Sequence, residues 1–186
     1  MAKAVFPFDE LNAFKANLSV HFANGRIKSK EDCEDIIDEL LDLYLLAMAN
    51  GVNSVNGQFG TDIQLTDGDI ERIVYQKIDG ATWVDRVRTW YSEGGTEADI
   101  VKIAETESHR DGNTAAYETA IKAGATEKTW ICMMLPTSRD THIYLNGVTV
   151  GIEDEFYSYT GSHAMFPGEF GVAEEDCNCL CELSFK

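Results

Sequence analysis

The sequence predicts an α+β protein, in which a helical N-terminal region precedes a small C-terminal module with a short antiparallel sheet. The first observation is that apolar residues before Gly124 recur three and four residues apart, which is the spacing of a buried helix face. The second is that apolar and polar residues alternate in several segments after Gly124, as they do along strands. The third is that Gly and Asn mark turns between these segments. We therefore divide the chain into a helical region, residues 1–95, and an α+β module, residues 96–186.

Two helices are predicted at the start of the chain. The first covers Asp9–Asn24 and ends at Gly25, because glycine readily adopts the left-handed conformation that terminates helices. The second covers Ser29–Asn50, with Ser29 as its N-cap and Gly51 as its end. Its apolar stripe consists of Ile36, Ile37, Leu40, Leu41, Tyr44, Leu45 and Met48. We expect this stripe either to be buried against the first helix or to dock another chain.

Three more helices are predicted before the sheet. Val52–Asp62 is interpreted as a loop, because it is rich in Gly, Asn and Gln. Thr66 is expected to cap a short helix that Asp79–Gly80 breaks, and the next helix ends at Gly94–Gly95. Thr96 is expected to cap the last long helix. The apolar faces of the two short helices consist of Ile70, Ile73, Val74 and Ile78, and of Trp83, Val84, Val87, Trp90 and Tyr91.

The module combines short strands with one short helix. We predict a strand at Thr129–Met134, a helix at Thr137–Leu145 and a second strand at Val148–Ile152. These are followed by a mostly irregular acidic loop, Glu153–Asp176, and by a final strand, Cys179–Phe185. Thr137 or Ser138 is expected to cap the helix. Trp130, Cys132 and Met134 are expected to face the same side of the first strand.

The charge balance argues against non-specific nucleic-acid binding. The chain has a formal net charge of -17, and from Asp140 to Lys186 it has nine acidic residues and a single Lys. Because phosphate contacts require Lys and Arg, we expect no direct DNA binding. The basic residues Arg72, Lys77, Arg86 and Arg88 are interpreted as ordinary helix surface.

Membrane and secretion signals are also missing from the sequence pattern. No apolar run approaches the roughly 20 residues that a membrane-spanning helix needs. The N-terminal residues do not resemble a signal peptide, so we expect synthesis in a cytosol. In that reducing compartment disulfides are not expected, and Cys33 and Cys132 are interpreted as small buried apolar residues.

The last long helix carries a polar face. Glu105, His109 and Asn113 are four residues apart and therefore lie on one side, while Glu107 and Arg110 form a pair three residues apart. Such a face can be catalytic, but it more commonly forms a hydrogen-bonded contact with a neighbouring loop, and we adopt that second interpretation.

A second group of polar residues surrounds the start of the short helix. Ser138, Arg139 and His142 are close enough in sequence for the last two side chains to point together. We expect Arg139 to pair with a carboxylate of Glu105 or Glu107, and His142 to form a hydrogen bond within the module. A catalytic triad is not predicted, since no carboxylate is placed to orient His142.

Three cysteines close to the C-terminus form a third group. Cys177, Cys179 and Cys181 could bind zinc together with His142, since thiolates and imidazole are good zinc ligands. On an extended strand, however, alternate sulfurs lie about 6.5–7 Å apart, which is wide for one ion. We therefore expect no metal, and expect Cys179 and Cys181 to be buried, with Cys181 close to Trp130.

These short motifs follow one another in an order found in a known family. They are Thr106-Glu107 with Asn113 and Ala116, a strand with Trp130, Ser138-Arg139-x-x-His142 followed by Asn146-Gly147, and Asn178-Cys179-Leu180-Cys181. Over roughly residues 96–186 the chain resembles the C-terminal domain of the phage Mu F-like minor head proteins, also called head morphogenesis proteins. The family usually has Thr at position 138, an acidic residue at position 146 and Arg at position 180, so this chain departs from the pattern there.

The resemblance implies a structural minor head protein that acts in head morphogenesis at or near the portal vertex. It implies binding without enzymatic turnover, no cofactor, and portal and other capsid proteins as partners, with self-association as a further option. The expected location is the virion, in the capsid interior or at the portal vertex, and the host cytoplasm during assembly. Two alternatives remain open: a zinc-dependent hydrolase or effector that uses His142 and the three cysteines, and an acidic inhibitor that mimics DNA.

Overall fold

The computed structural model describes residues 7–78 and 80–186. In chain order the helices are α1 Phe8–Leu18, α2 Lys30–Phe59, α3 Asp67–Val74, α4 Trp83–Glu93, α5 Glu97–Lys122, α6 Asp140–Leu145 and α7 Ala173–Asp176. The strands are β1 Phe22–Ala23, β2 Arg26–Ile27, β3 Glu127–Ile131, β4 Thr149–Gly151, β5 Phe156–Tyr157, β6 His163–Ala164 and β7 Glu182–Phe185. All named strand pairs are antiparallel, so the predicted α+β class is confirmed.

The first helix is shorter than the sequence predicts. α1 ends at Leu18, and one 3₁₀ turn, Ser19–His21, leads into the β1–β2 hairpin. Asn24 and Gly25 both have positive φ angles, 52° and 76°, which suit a two-residue hairpin turn. The predicted helix end at Asn24 is therefore wrong, because the Asn-Gly pair turns the chain between strands instead.

The second helix is longer than predicted. Ser29 caps it as expected, accepting a hydrogen bond from the backbone N–H of Asp32 at 3.1 Å. The helix then continues through Gly51 to Phe59 and ends at Gly60, whose φ is 67°. The predicted end at Gly51 and most of the predicted Val52–Asp62 loop are thus wrong. Gly51 instead lies against the backbone of α5, where a Cβ would overlap the carbonyl oxygen of Gly112.

Threonine caps define the next three helices. Thr66, Thr82 and Thr96 each form a capping box with an aspartate three residues later. The predicted caps at Thr66 and Thr96 are confirmed. α3 ends earlier than predicted, and Ile78 forms a β-bridge with Ala81. The predicted break at Asp79–Gly80 falls partly on Asp79, which lies outside the described residues.

The module is built around a three-stranded sheet in the order β4-β3-β7. Trp130 of β3 is opposite Leu183 of β7. β3 ends at Ile131, and Met134 has a φ of 54° and is exposed, so Met134 does not share the buried face of Trp130 and Cys132. The predicted loop between residues 153 and 176 contains the short β5–β6 hairpin and the single-turn helix α7.

Two apolar clusters share the helices α2 and α5. The first cluster joins α1–α4 to the N-terminal part of α5, including Ile100 and Ile103. The second joins the C-terminal part of α5 to the sheet, around Trp130 and Phe156. The apolar stripe of α2 is mostly buried within the first cluster, which favours internal packing over docking. We keep the division at residues 95 and 96 as a proposal, since α5 belongs to both clusters.

Candidate functional site

The polar face of α5 is buried rather than open to solvent. From Glu107 to Thr114 every residue of this helix is buried. Glu107 forms ion pairs with Arg110 on its own helix and with Arg86 on α4. Arg110 also contacts Asp111, with Nη2 3.2 Å from Oδ1. Burial raises the pKa of Asp111 well above its ordinary value, although Arg110 acts in the opposite direction.

These ion pairs correct one prediction about Arg139. Glu107 is paired with Arg86 and Arg110, and Glu105 is paired with Lys15 of α1. Arg139 does not pair with either glutamate and instead donates a hydrogen bond to the carbonyl oxygen of Cys177. The prediction failed because Lys15 of α1, Arg86 of α4 and Arg110 of α5 already pair with the two glutamates, and no local motif links α1 or α4 to α5.

Arg139, Thr106 and Asn113 hold the segment of residues 177–181, which we call the Cys loop. The backbone N–H of Asn178 donates to Thr106 Oγ1 at 3.2 Å. Asn113 Nδ2 donates to the carbonyl oxygen of Cys181 at 3.0 Å. With the Arg139 contact to Cys177, hydrogen bonds hold the first two residues of the loop and its last residue. The structure therefore brings together four of the sequence-predicted positions: Thr106, Asn113, Arg139 and Asn178.

The segment before α6 differs in detail from the prediction. Ser138 Oγ accepts a hydrogen bond from the backbone N–H of Leu135 at 2.9 Å. The N-cap position of α6 is Arg139, and its side chain forms no capping hydrogen bond. The predicted cap at Thr137 or Ser138 is therefore wrong. Gly147, another predicted position, has a φ of 80° and donates its N–H to the carbonyl oxygen of Trp130 at 2.8 Å.

His142 lies against two cysteines of the Cys loop. Its Nδ1 is 3.6 Å from Cys179 Sγ and 3.4 Å from Cys181 Sγ. The nearest ligand atoms of all three residues lie within 4.8 Å of one another, and the residues are buried. The predicted hydrogen bonding of His142 within the module is confirmed, and so is the burial of both cysteines.

The extended backbone that was predicted at these cysteines is not observed, so this prediction is wrong. β7 begins at Glu182, and Asn178 has a φ of 55°, so the Cys loop is bent rather than extended. The bend brings the two sulfurs closer than alternate positions of a flat strand would allow. The distance argument against a metal ion therefore no longer holds.

The second nitrogen of His142 faces a carboxylate. His142 Nε2 is 3.2 Å from Glu175 Oε2, although the angle is not that of a hydrogen bond. The same oxygen accepts a hydrogen bond from Thr141 Oγ1 at 2.7 Å. An acceptor on the Nε2 side favours the tautomer with its proton there, which leaves the Nδ1 lone pair directed at the sulfurs.

Aromatic rings and a further thiol enclose the group. The His142 ring stacks on Phe170 with centroids 5.7 Å apart and meets the edge of Trp130 at 5.6 Å. The thiol-bearing Cys132 is buried in the same apolar cluster as Cys179 and Cys181. The pKa of the Cys181 thiol is raised, chiefly by its contact with Cys179 and secondly by burial. Burial also raises the pKa of the Cys132 thiol. Cys181 and Trp130 belong to the same apolar cluster, as expected.

The cavity beside this group is small. It has a volume of about 30 Å³ and is bordered by His142, Arg139, Cys179 and Cys181 among others. A water molecule needs roughly 10–15 Å³ on this scale, whereas pockets for small-molecule ligands measure roughly 300–1,000 Å³. The cavity can thus hold a water molecule or an ion, but not an organic substrate.

Sequence reasoning missed Glu175, which faces His142, and Thr141, which binds the same carboxylate. Glu175 lies in the acidic segment that was interpreted as a loop, where nothing distinguishes it from Glu174. Cys132 was assigned to the apolar face of the predicted strand Thr129–Met134 and is indeed buried.

Comparisons with known proteins give two partial similarities. The chain is 33% identical over 85 residues to minor head protein GP7 of Bacillus phage SPP1, a match that covers 44% of this chain and 28% of that protein. It is 32% identical over 125 residues to an NAD(+)–arginine ADP-ribosyltransferase, EFV, of Enterococcus faecalis, which covers 63% of this chain and 25% of that protein. The matches thus span between a quarter and a third of each relative's length.

Other comparisons provide no further identification. No protein-family model matches the chain, and no solved structure matches it significantly. Within residues 7–78 and 80–186, none of the helices is long and apolar enough to span a bilayer.

Proposed function

We propose that the chain is a structural minor head protein of a tailed phage or prophage, and that it acts in head morphogenesis by binding other capsid proteins. The observation that carries this proposal is the similarity to the minor head protein of phage SPP1. The order of the motifs on α5, α6 and the Cys loop supports it, because it resembles that of Mu F-like minor head proteins. In this proposal the protein is located in the virion, at or near the portal vertex, and in the host cytoplasm during assembly.

The motif residues favour a structural role over turnover. Thr106, Asn113 and Arg139 are engaged in hydrogen bonds that hold the Cys loop. His142 is buried between Phe170 and Trp130, beside a cavity of about 30 Å³. A residue in such a position can stabilise a module, and the space beside it is far smaller than a pocket for an organic substrate.

The surface proposed for partner binding lies between residues 131 and 144. Large apolar side chains are exposed there, at Ile131, Met133, Met134, Leu135, Ile143 and Tyr144. Exposed apolar side chains in this density are characteristic of protein-binding surfaces. The acidic excess from Asp140 onwards would favour a partner with a basic rim, such as a portal or capsid protein.

Variants of this surface test the proposal. Co-expression with the portal and capsid proteins of the same phage genome should place the chain in assembled procapsids. Met134→Asp and Tyr144→Asp alter side chains that are 56% and 57% exposed, and should reduce its incorporation without lowering its melting temperature. Val20→Asp, at a side chain that is 58% exposed in the helical region, is the matched control. A chain that never cofractionates with procapsids would contradict the proposal.

The second candidate is ADP-ribosyl transfer, which the similarity to the Enterococcus protein favours. That similarity covers only 25% of the relative, so the matched segment and its catalytic part need not coincide. A dinucleotide also requires a far larger pocket than the one beside His142. Transfer of labelled ADP-ribose from NAD⁺ to arginine-containing proteins would establish this activity, and we expect none. A gel shift with duplex DNA separately tests the expectation that the chain does not bind DNA.

A further inference from the structure

The group of His142, Cys179 and Cys181 has the spacing of a metal site. Zinc binds thiolate sulfur at about 2.3 Å and imidazole nitrogen at about 2.0–2.1 Å in a tetrahedral arrangement. Those bond lengths place a sulfur and a nitrogen ligand about 3.6 Å apart. The observed distances from His142 Nδ1 to the two sulfurs are 3.6 and 3.4 Å. One ion can therefore contact all three atoms with little movement of the chain.

The surroundings of His142 match those of metal-bound histidines. Such histidines usually present their second nitrogen to a carboxylate, which fixes the ring and its tautomer. Glu175 occupies that position, 3.2 Å from Nε2, and Thr141 holds its carboxylate. The three-way anchoring of the Cys loop adds rigidity, because Thr106, Asn113 and Arg139 fix the backbone on both sides of the cysteines.

We propose that His142 Nδ1, Cys179 Sγ and Cys181 Sγ bind one Zn²⁺ ion, with Cys132 as the fourth ligand. Cys132 is buried in the same apolar cluster as Cys179 and Cys181, which makes its sulfur the candidate for the fourth position. Structural zinc sites are closed by four protein ligands, and a set of three cysteines and one histidine is common among them. The ion joins α6 and the Cys loop to Cys132, the residue that directly follows β3.

Zinc binding must release protons. Each of the three thiols loses its proton to become a thiolate, while His142 binds as neutral imidazole, so three protons leave for each ion bound. The resulting site carries a net charge of −1 from one Zn²⁺ and three thiolates. The proposal concerns stability, and it stands independently of any role in a phage head.

Metal content and cobalt spectra test the site. The full chain, produced without a histidine tag and reduced under a chelator, should rebind about one Zn²⁺ or Co²⁺ per chain. Bound Co²⁺ should produce the sulfur-to-metal charge-transfer band and the visible bands of a tetrahedral site. Calorimetry in two buffers with different ionisation enthalpies should show the release of three protons. Failure of the intact chain to bind either metal would overturn the proposal, whatever its variants do.

Serine variants identify the ligands. Cys179→Ser and Cys181→Ser should lose tight binding, and Cys132→Ser should weaken the charge-transfer band by one thiolate. Cys177→Ser is the matched control, because Cys177 belongs to the same Cys-x-Cys-x-Cys segment but lies outside the group around His142. Glu175→Gln should weaken binding by about 10–100-fold. If Cys177→Ser lost the metal like Cys179→Ser, the assignment would be wrong. An unchanged cobalt spectrum for Cys132→Ser would overturn the closed four-ligand site.

Discussion

Gly51 of α2 lies directly against Gly112 of α5, and a methyl group at residue 51 would overlap the carbonyl oxygen of Gly112. The backbone N–H of Ala116 lies 3.1 Å from the same position. The absence of a side chain at Gly51 lets the helix backbones approach more closely here than a larger residue would permit. This contact fixes the distance between the two helices that both apolar clusters share.

Gly51→Ala is expected to destabilise the protein. Alanine normally stabilises a helix interior by about 0.5–1 kcal/mol relative to glycine, but here its methyl group would force the two backbones apart. Overpacking of this kind costs about 1–3 kcal/mol, so the net change should be a loss. Urea denaturation measures it. Gly57→Ala on the same helix is the control, because a Cβ there meets no atom within 4 Å, and it should slightly raise stability.

Glu107→Gln is expected to weaken the buried ion pairs of α5. The Glu107 side chain is fully buried and contacts both Arg86 and Arg110, so its removal leaves guanidinium charge without a full counter-charge. Breaking a buried pair by removing one partner costs about 3–5 kcal/mol. The change in the denaturation midpoint should be large. Glu34→Gln, which alters the exposed pair with Arg88, should leave the midpoint unchanged.

His109 should make stability depend on acidity. Burial lowers the pKa of His109 from 6.5 to about 3. Between these two pH values the His109 imidazole binds a proton in the unfolded chain but not in the folded chain. The contribution of neutral His109 to the free energy of unfolding is therefore present above pH 6.5 and is lost as the pH falls towards 3. The slope within that window is about 1.4 kcal/mol per pH unit.

The His109 contribution can be isolated with a matched pair of variants. The free energy of unfolding, measured in urea from pH 7 to pH 4, should fall less steeply for His109→Gln than for the natural chain. His163→Gln, at an exposed histidine, should follow the natural chain. Equal slopes for both variants would contradict the assignment.

Lys128→Met is expected to stabilise the protein at neutral pH. Lys128 is buried, its Nζ lies 4.5 Å from the centroid of the Tyr117 ring, and it has no hydrogen-bond partner among the described residues. Burial lowers the pKa of Lys128 to about 8, while Glu169 opposes the shift. A buried ammonium without an acceptor is costly, and methionine retains most of the volume without the charge.

The Lys128 variant has a distinct pH signature. Between about pH 8 and 10.5 the unfolded chain keeps a proton that the folded chain has lost, so the natural protein gains stability as the pH rises. The advantage of Lys128→Met in melting temperature should therefore shrink over this range. Lys102→Met, at an exposed position of α5, controls for the change in net charge. A lower melting temperature for Lys128→Met at pH 7 would show that the contact with Tyr117 outweighs the cost of burial.

Local chemistry predicted much of the fold. Ser29, Thr66 and Thr96 were identified as caps because a short polar side chain before an apolar repeat has few other roles. Gly51 was misjudged for a related reason: glycine both ends helices and permits close helix contacts, and the sequence alone cannot separate these roles. Only the position of Gly112 on another helix decides between them.

Sequence reasoning singled out three residues of the candidate site, but neither their geometry nor the neighbouring Glu175 and Thr141. His142, Cys179 and Cys181 stood out as chemical groups, whereas the bend at Asn178 that brings the sulfurs together has no clear sequence signal. Alternating residues suggested a strand through the cysteines, but hydrogen bonds donated by Asn113 and Arg139 and accepted by Thr106 override that preference. Such contacts join distant parts of the chain, so periodicity within one segment does not reveal them.

The central position of β3 in its sheet has a consequence for synthesis on the ribosome. β4 follows β3 closely in the chain and can pair with one edge early, while the other edge pairs with β7, whose residues emerge much later. Until β7 has emerged, Trp130 and Lys128 lack their cross-strand partners on that edge, Leu183 and Phe185. We expect the newly made chain to hold a folded helical part and an incomplete sheet during this interval, a state in which the open strand edge is exposed to aggregation.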